Sequence, residues 1–304
     1  VETAIKAARR WGYFTKGIEI NCAEIIVAEG NFHGRTTTIV GFSSEKEYKK
    51  GFGPFADGFI QAEYCRTNCD CSKVCENSIR SIKNAINNNT CAVIVEPIQG
   101  EGGIITPQSG WLKQLRELCN ENNVLLILDE IQSGLGRTGK LFAFEHEDIK
   151  PDGLILGKAL GGGLLPVSAF LSSKEVMNHF NPGSHGSTFG GNPLAAKVAS
   201  KALDLLFEDN LIENSKVMGA YLKEKLSEMN HSFIKEIRGK GLWIGVELDQ
   251  GISAKKICLS LMGEGILAKE THETVIRFAP PLLIKKDEID WALKKINKVF
   301  QEYK

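Results

Sequence analysis

No apolar run in this 304-residue chain approaches the roughly 20 residues that a membrane-crossing helix needs. No excess of charge of either sign is present: Lys+Arg and Asp+Glu number 37 each, so no global field draws the chain to nucleic acid or to an anionic membrane surface. Internal repeats are lacking, and so is any signal-peptide pattern. The one stretch that fits a phosphate-cradling loop, Gly134 to Lys140 in "GLGRTGK", lacks the Ser or Thr that should follow its lysine; Leu141 stands there instead. That segment also fails to join a strand directly to a helix, which weighs against a nucleotide hydrolase. The first residues, "VETAIKAARRWGYFTKG", already show helical spacing at Ala4, Ala7, Ala8 and Trp11, with no capping side chain ahead of them. The expectation is therefore that part of the chain upstream of Val1 is absent.

What is present is an alternation of short apolar runs with amphipathic stretches. Residues 24–30, 91–97, 124–130, 153–158 and 166–172 read as buried strands, and Leu112, Leu115 and Leu118 mark a helical face between the second and third. Continuous apolar strands separated by helices predict an α/β fold with a mostly parallel sheet covered on both faces. A long helix over 192–209 leads out of this region. Beyond it the pattern changes to a smaller α+β region ending in an amphipathic helix from Asp287. The division is expected near residue 205, with 1–205 as a large domain and 206–304 as a small C-terminal one.

Ligands of such folds sit at the carboxyl ends of the strands. Asp129 ends one apolar run and Lys158 ends another, 29 residues on. A carboxylate there is costly unless paired, and its plain reading is a cap on the following turn; the plain reading of the lysine is a surface side chain with a buried stem. Taken together, two opposite charges converging on one cleft suit pyridoxal phosphate. Its aldehyde binds a lysine, and its ring withdraws electrons only while a carboxylate keeps the ring nitrogen protonated. Freed by substrate, the same lysine can carry a proton between carbons.

The motifs "GNFHGRT" (30–36), "VEPIQGEGG" (95–103), "DEIQSGLGRTG" (129–139), "LGKALGGGLLPVSA" (156–169), "GSHGSTFGGNPLA" (183–195) and "IRFAPPLLI" (276–284) occur in that order. In them the chain resembles the class-III, fold-type-I pyridoxal-phosphate aminotransferases, across nearly its whole length. The resemblance implies roles residue by residue. Lys158 would anchor pyridoxal 5'-phosphate, Asp129 would partner its ring nitrogen, Gln132 would donate to its phenolic oxygen, and Phe32 would stack on its ring. Ser187 and Thr188 would reach the phosphate held by a neighbouring subunit, which implies a homodimer with shared sites. Arg35 and Arg277 would bind substrate carboxylates, for which a guanidinium fork is suited. Glu101 would pair with Arg277 until 2-oxoglutarate arrives, and Glu96 would line the same pocket.

Within the family, the length of "GGGLLPVSA" and the stretch "ILAKETHETVIRFAPPL" side with the branch that uses L-ornithine and 2-oxoglutarate rather than with the acetylornithine branch. Transamination of acetylornithine or 4-aminobutyrate, or a truncated non-catalytic homologue, are the alternatives. The family's phosphate-binding turn should lie immediately before Val1 and is absent, His33 stands where some relatives carry Trp, and Leu165 replaces a frequent tyrosine.

Eight cysteines are present. Cys22, Cys91, Cys119 and Cys258 lie in apolar contexts, as expected of buried thiols in a reducing, intracellular compartment: the cytoplasm, with the mitochondrial matrix as the alternative. The other four form "CRTNCDCSKVC", which has no counterpart in the common family pattern. Its spacing does not match the usual zinc pairs, and no metal site is expected. It reads as a flexible surface insertion with reduced thiols; a redox-responsive or metal-binding loop is the alternative.

Overall fold

The computed structural model describes residues 1–66 and 71–303, with side chains outside 71–74. Two compact units divide the chain. The first comprises 1–97, 107–132 and 144–203; the second comprises 98–106, 133–143 and 204–304. Two loop segments that the sequence reading assigned to residues 1–205 thus pack within the second unit.

The first unit is built on six strands: β1 (Glu24–Ala28), β2 (Phe59–Ala62), β3 (Thr90–Val95), β4 (Leu125–Asp129), β5 (Gly153–Leu156) and β6 (Ala169–Ser172), in the order β2-β1-β3-β4-β5-β6. All neighbours are parallel except β5 and β6. Strands β3, β4 and β5 are buried along their entire length, which is what their unbroken apolar sequences demand of a sheet covered on both faces. Helices Cys71–Ala85 and Trp111–Glu121 precede β3 and β4 as the crossovers that parallel pairing requires. In the second of these, Trp111, Leu112, Leu115, Leu118 and Cys119 are buried, a single helical face. Helix Glu2–Trp11 buries Ala4, Ile5, Ala7, Ala8 and Trp11 against Ile25, Val27 and Ile94 of the sheet. Each fully buried Ile or Leu in such a core contributes roughly 1.5–3 kcal/mol.

Strand β6 departs from expectation. The apolar run 166–172 predicts a buried strand, yet β6 is an antiparallel edge strand of four residues, none fully buried. An edge has one neighbour, so its apolar residues lack the cover that β3 and β4 enjoy.

The second unit carries the antiparallel sheet β7 (Ile234–Lys240), β8 (Trp243–Leu248), β9 (Lys269–Thr271) and β10 (Val275–Phe278), ordered β7-β8-β10-β9. Helices Leu211–Glu228, Ala254–Gly263 and Lys286–Phe300 contribute to one core with Ile244, Val246, Ile276 and Phe278. The first of these helices approaches the β7–β8 turn at glycine. A Cβ on Gly219 would lie 2.1 Å from the carbonyl carbon of Gly241, and Gly241 itself has φ +56°. Only residues without a Cβ permit that approach.

Cys65 and Cys75 are joined by a disulfide across ten residues, which corrects the expectation of reduced thiols for these two. Cys69 lies outside the described residues, and so does the side chain of Cys71. Cys91 and Cys119 are free and buried, and burial pushes both thiols up to about 12, so neither is reactive near neutrality. Among the described residues, no cluster could hold a metal ion and no helix is long and apolar enough to cross a membrane.

Candidate active site

In the first unit, β4 and β5 run side by side in parallel, with Asp129 opposite Ile155. Asp129 is therefore the last residue of one central strand, and Lys158 follows the end of its neighbour by two residues. Lys158 opens a short 3-10 turn with φ +42°, a left-handed conformation that a residue with a Cβ seldom adopts. Strain of this kind persists where the surroundings impose it, typically at functional positions. Lys158 lines a cleft of about 640 Å³ together with Ser168, Ser187, Asn192 and the glycine-rich segments 163–164 and 189–191.

Asp129 is 4% exposed and its carboxylate is held from two sides. Oδ1 accepts from the backbone N of Ile131 at 3.1 Å, and Oδ2 lies 2.7 Å from Nδ1 of the buried His33. Because a carboxylate only accepts, Nδ1 carries the proton. Burial opposes charging of the imidazole, but the hydrogen bond to Asp129, its charge and that of Glu96 outweigh it, so the pKa of His33 is raised above its ordinary value. In the sequence His33 stands out only as a departure from the family pattern; its partner is 96 residues away, and no local spacing reveals it. Among the described residues its other nitrogen, Nε2, is buried without a hydrogen-bond partner.

The remaining predicted residues of this unit fall into three groups. Phe32 donates its backbone N–H to Oε1 of buried Glu96 at 2.9 Å, so the motif carrying the aromatic is fixed to the end of β3. Glu96 and Pro97 offer their carbonyls to the hydroxyl of buried Tyr64, at 2.8 and 3.2 Å. Arg35 is exposed, its guanidinium 4.0 Å from the centroid of Tyr48 and 5.6 Å from that of Phe32. Gln132 is half-buried, three residues past Asp129, while Ser187 and Thr188 are exposed.

Residues 98–106 and β10 bring together the predicted pair of the second unit. Glu101 Oε1 lies 3.0 Å from Nη1 of Arg277, and their side chains are 19% and 16% exposed. Oε2 of the same carboxylate lies 3.1 Å from Nζ of Lys269, a contact that sequence reading missed. Burial would raise the Glu101 pKa, but the charge of Arg277 and hydrogen bonds from Lys269 and Arg277 hold it below the ordinary carboxylate value.

These donors fit pyridoxal phosphate. A buried carboxylate with two of its roughly four lone-pair positions taken retains capacity for a cationic ring N–H. The lysine projects from the adjoining strand end into a cleft that also presents a serine hydroxyl.

A profile of the class-III aminotransferases matches residues 1–300. The ornithine aminotransferase 2 of Staphylococcus aureus is 56% identical over 301 residues, which span 99% of this chain and 72% of that protein. Among solved structures, the ornithine aminotransferase of Toxoplasma gondii is 41% identical with a TM-score of 0.93, covering 99% of this chain and 70% of that one. The acetylornithine aminotransferase of Elizabethkingia anophelis is 44% identical with a TM-score of 0.84, covering 99% and 72%. With one family profile over almost every residue and such relatives, the chain belongs to the class-III aminotransferases, which are pyridoxal-phosphate-dependent enzymes.

Proposed function

We propose that this chain transfers the δ-amino group of L-ornithine to 2-oxoglutarate, giving glutamate 5-semialdehyde and glutamate. The observation that carries the substrate assignment is the ion pair between Glu101 and Arg277. Ornithine offers two amines, and a guanidinium open to its α-carboxylate would favour reaction at the α-amine. With Arg277 engaged by Glu101, that grip is withheld and the δ-amine is presented. 2-Oxoglutarate brings a second carboxylate, and Arg277 can take one of the two once Glu101 turns aside. The 56% identity to an ornithine aminotransferase supports the same reading.

Pyridoxal phosphate, when bound, supplies the electron sink that makes the substrate's C–H bond acidic. Lys158 would hold the cofactor covalently, and its amine would be the group that carries the proton of the transfer. Asp129 would keep a proton on the ring nitrogen, with His33 orienting that carboxylate. Phe32 would stack on the ring, Gln132 would donate to its phenolic oxygen, and Glu96 would line the substrate side.

Ser187 and Thr188 serve the site of a second copy. Leu164, Phe189 and Leu194 are exposed, the first two on the cleft that Ser187 lines, and such a copy would cover them. The resulting homodimer is expected to sediment at twice the chain mass.

The E. anophelis acetylornithine relative, at 44% identity, makes acetylornithine the second reading. A substrate panel of ornithine, acetylornithine and 4-aminobutyrate separates the two on cofactor-loaded enzyme. Ornithine should have the largest kcat/KM, and Lys158→Ala should abolish both turnover and borohydride-fixed attachment of cofactor. Preference for acetylornithine would overturn the ornithine assignment, and full turnover by the alanine variant would overturn the site.

A further inference from the structure

Glu101 is held by more than its pairing with Arg277 requires, and the surplus contact bears on how the pair opens. The backbone around it is pinned. Gln99 and Ile105 exchange N–H···O bonds of 3.0 Å in both directions, and Ile104 N donates to Gly100 O at 3.2 Å. Arg238 Nε donates to Gly103 O at 2.9 Å, Thr271 Oγ1 donates to the carbonyl of Glu101 itself, and Ile104 is fully buried beside Ile98 and Trp243. With the main chain fixed at so many points, the carboxylate moves by side-chain rotation.

Its two oxygens take two different cations. Oε1 meets Arg277 and Oε2 meets Lys269, and these bases stand directly opposite one another on β10 and β9. Like charges directly across an antiparallel pair repel, and Glu101 is the counter-charge that offsets the repulsion. The two cations differ in freedom: Arg277 is 16% exposed, whereas Lys269 is 57% exposed on a flexible stem.

Count the charges in each state. Closed, the trio carries one net positive charge. Open, with a substrate carboxylate on Arg277, the four groups are neutral provided Glu101 keeps Lys269. Without Lys269 the closed pair would be neutral, and the open arrangement would leave a half-buried carboxylate uncompensated, which is the costly outcome of breaking such a pair.

Building on the gating role argued above, we propose that Lys269 is a positioning residue of the switch: it retains the Glu101 carboxylate when Arg277 takes the substrate's, and so favours opening for dicarboxylates.

The test uses cofactor-loaded enzyme carrying Lys269→Met. Its kcat/KM for 2-oxoglutarate and for glutamate should fall about three- to fivefold, the worth of a partly exposed ion pair. Binding of glutarate, an unreactive dicarboxylate, should weaken by a similar factor. The ornithine half-reaction, which runs with the pair closed, should change by less than about twofold. Lys269→Arg should restore the dicarboxylate kinetics, and Lys269→Met should add nothing in a Glu101→Ala background. Unchanged dicarboxylate kinetics, an equal loss in both half-reactions, or faster reaction with glutamate would each overturn the role of Lys269. If Glu101→Ala alone leaves δ selectivity and glutamate kinetics as they were, the gating reading falls instead, whatever Lys269 does.

Discussion

The two units hold their key carboxylates in opposite ways. In the first, Asp129 and His33 are 4% and 0% exposed and bonded at 2.7 Å, with a backbone N–H on the other oxygen. In the second, Glu101 is 19% exposed and shared between two cations, one of them largely in solvent. Burial raises the cost of leaving a charge unpaired, so the first arrangement is fixed for the life of the fold. Partial exposure lets water compensate a carboxylate during rotation, so the second can exchange partners. A group that must stay charged is sunk, and a group that must move is left at the margin.

The sharpest way to break the comparison is to remove the charge that never moves. Asp129→Asn keeps the shape and an acceptor for His33 Nδ1 but loses the negative charge. Cofactor should still attach to Lys158, while the proton-transfer step slows on the order of 10²–10⁴-fold, the scale of a preorganised electrostatic and acid–base contribution. Single-turnover absorbance measures that step directly. A rate within a factor of two of wild type would mean that the chemistry lies elsewhere.

At the movable carboxylate the expected change is in selectivity rather than in speed. Glu101→Ala leaves Arg277 available to α-carboxylates throughout. The glutamate half-reaction should quicken by about tenfold, the worth of roughly 1.4 kcal/mol spent on opening the pair. Ornithine should yield a measurable share of the α-transfer product. Product analysis by mass spectrometry decides it, and wild-type δ selectivity with unaltered glutamate kinetics would show that the pair is structural.

The same contrast governs what could be read from the chain. Strands β3 and β4 were legible because full burial on both faces writes itself as "CAVIV" and "LLILD". The placement of Asp129 and Lys158 at strand ends followed from where those runs stop. Strand β2 was not legible: its pattern is half-buried, and it follows the glycine-rich "GFGPFADGF". Neither was Lys269, since β9 has three residues and its meaning comes from Arg277 across the ladder and Glu101, 168 residues away. Periodicity reports local burial, whereas partners brought together by topology leave no local trace.

The smallest expected effect tests whether the fixed pair is fixed by charge or by geometry. His33→Asn places a neutral amide donor where Nδ1 stands, so the hydrogen bond to Asp129 survives while the titration is lost. The native pKa of His33 is raised above its ordinary value of about 6.5. A raised pKa means that the folded state binds the proton more tightly than the unfolded one. Its contribution to stability is therefore complete below about pH 6.5 and is lost as pH climbs through the native pKa. Wild type should exceed His33→Asn by about 1 kcal/mol near pH 6, the difference between a charged and a neutral donor to a carboxylate. That gap should close as pH rises through the native pKa of His33, above which both chains carry neutral donors. Thermal unfolding of the two proteins, followed from pH 5.5 to 9, gives the curve. A gap that stays constant over this range would show that His33 holds Asp129 by shape alone, and the imidazolium would have no part in keeping the carboxylate in place.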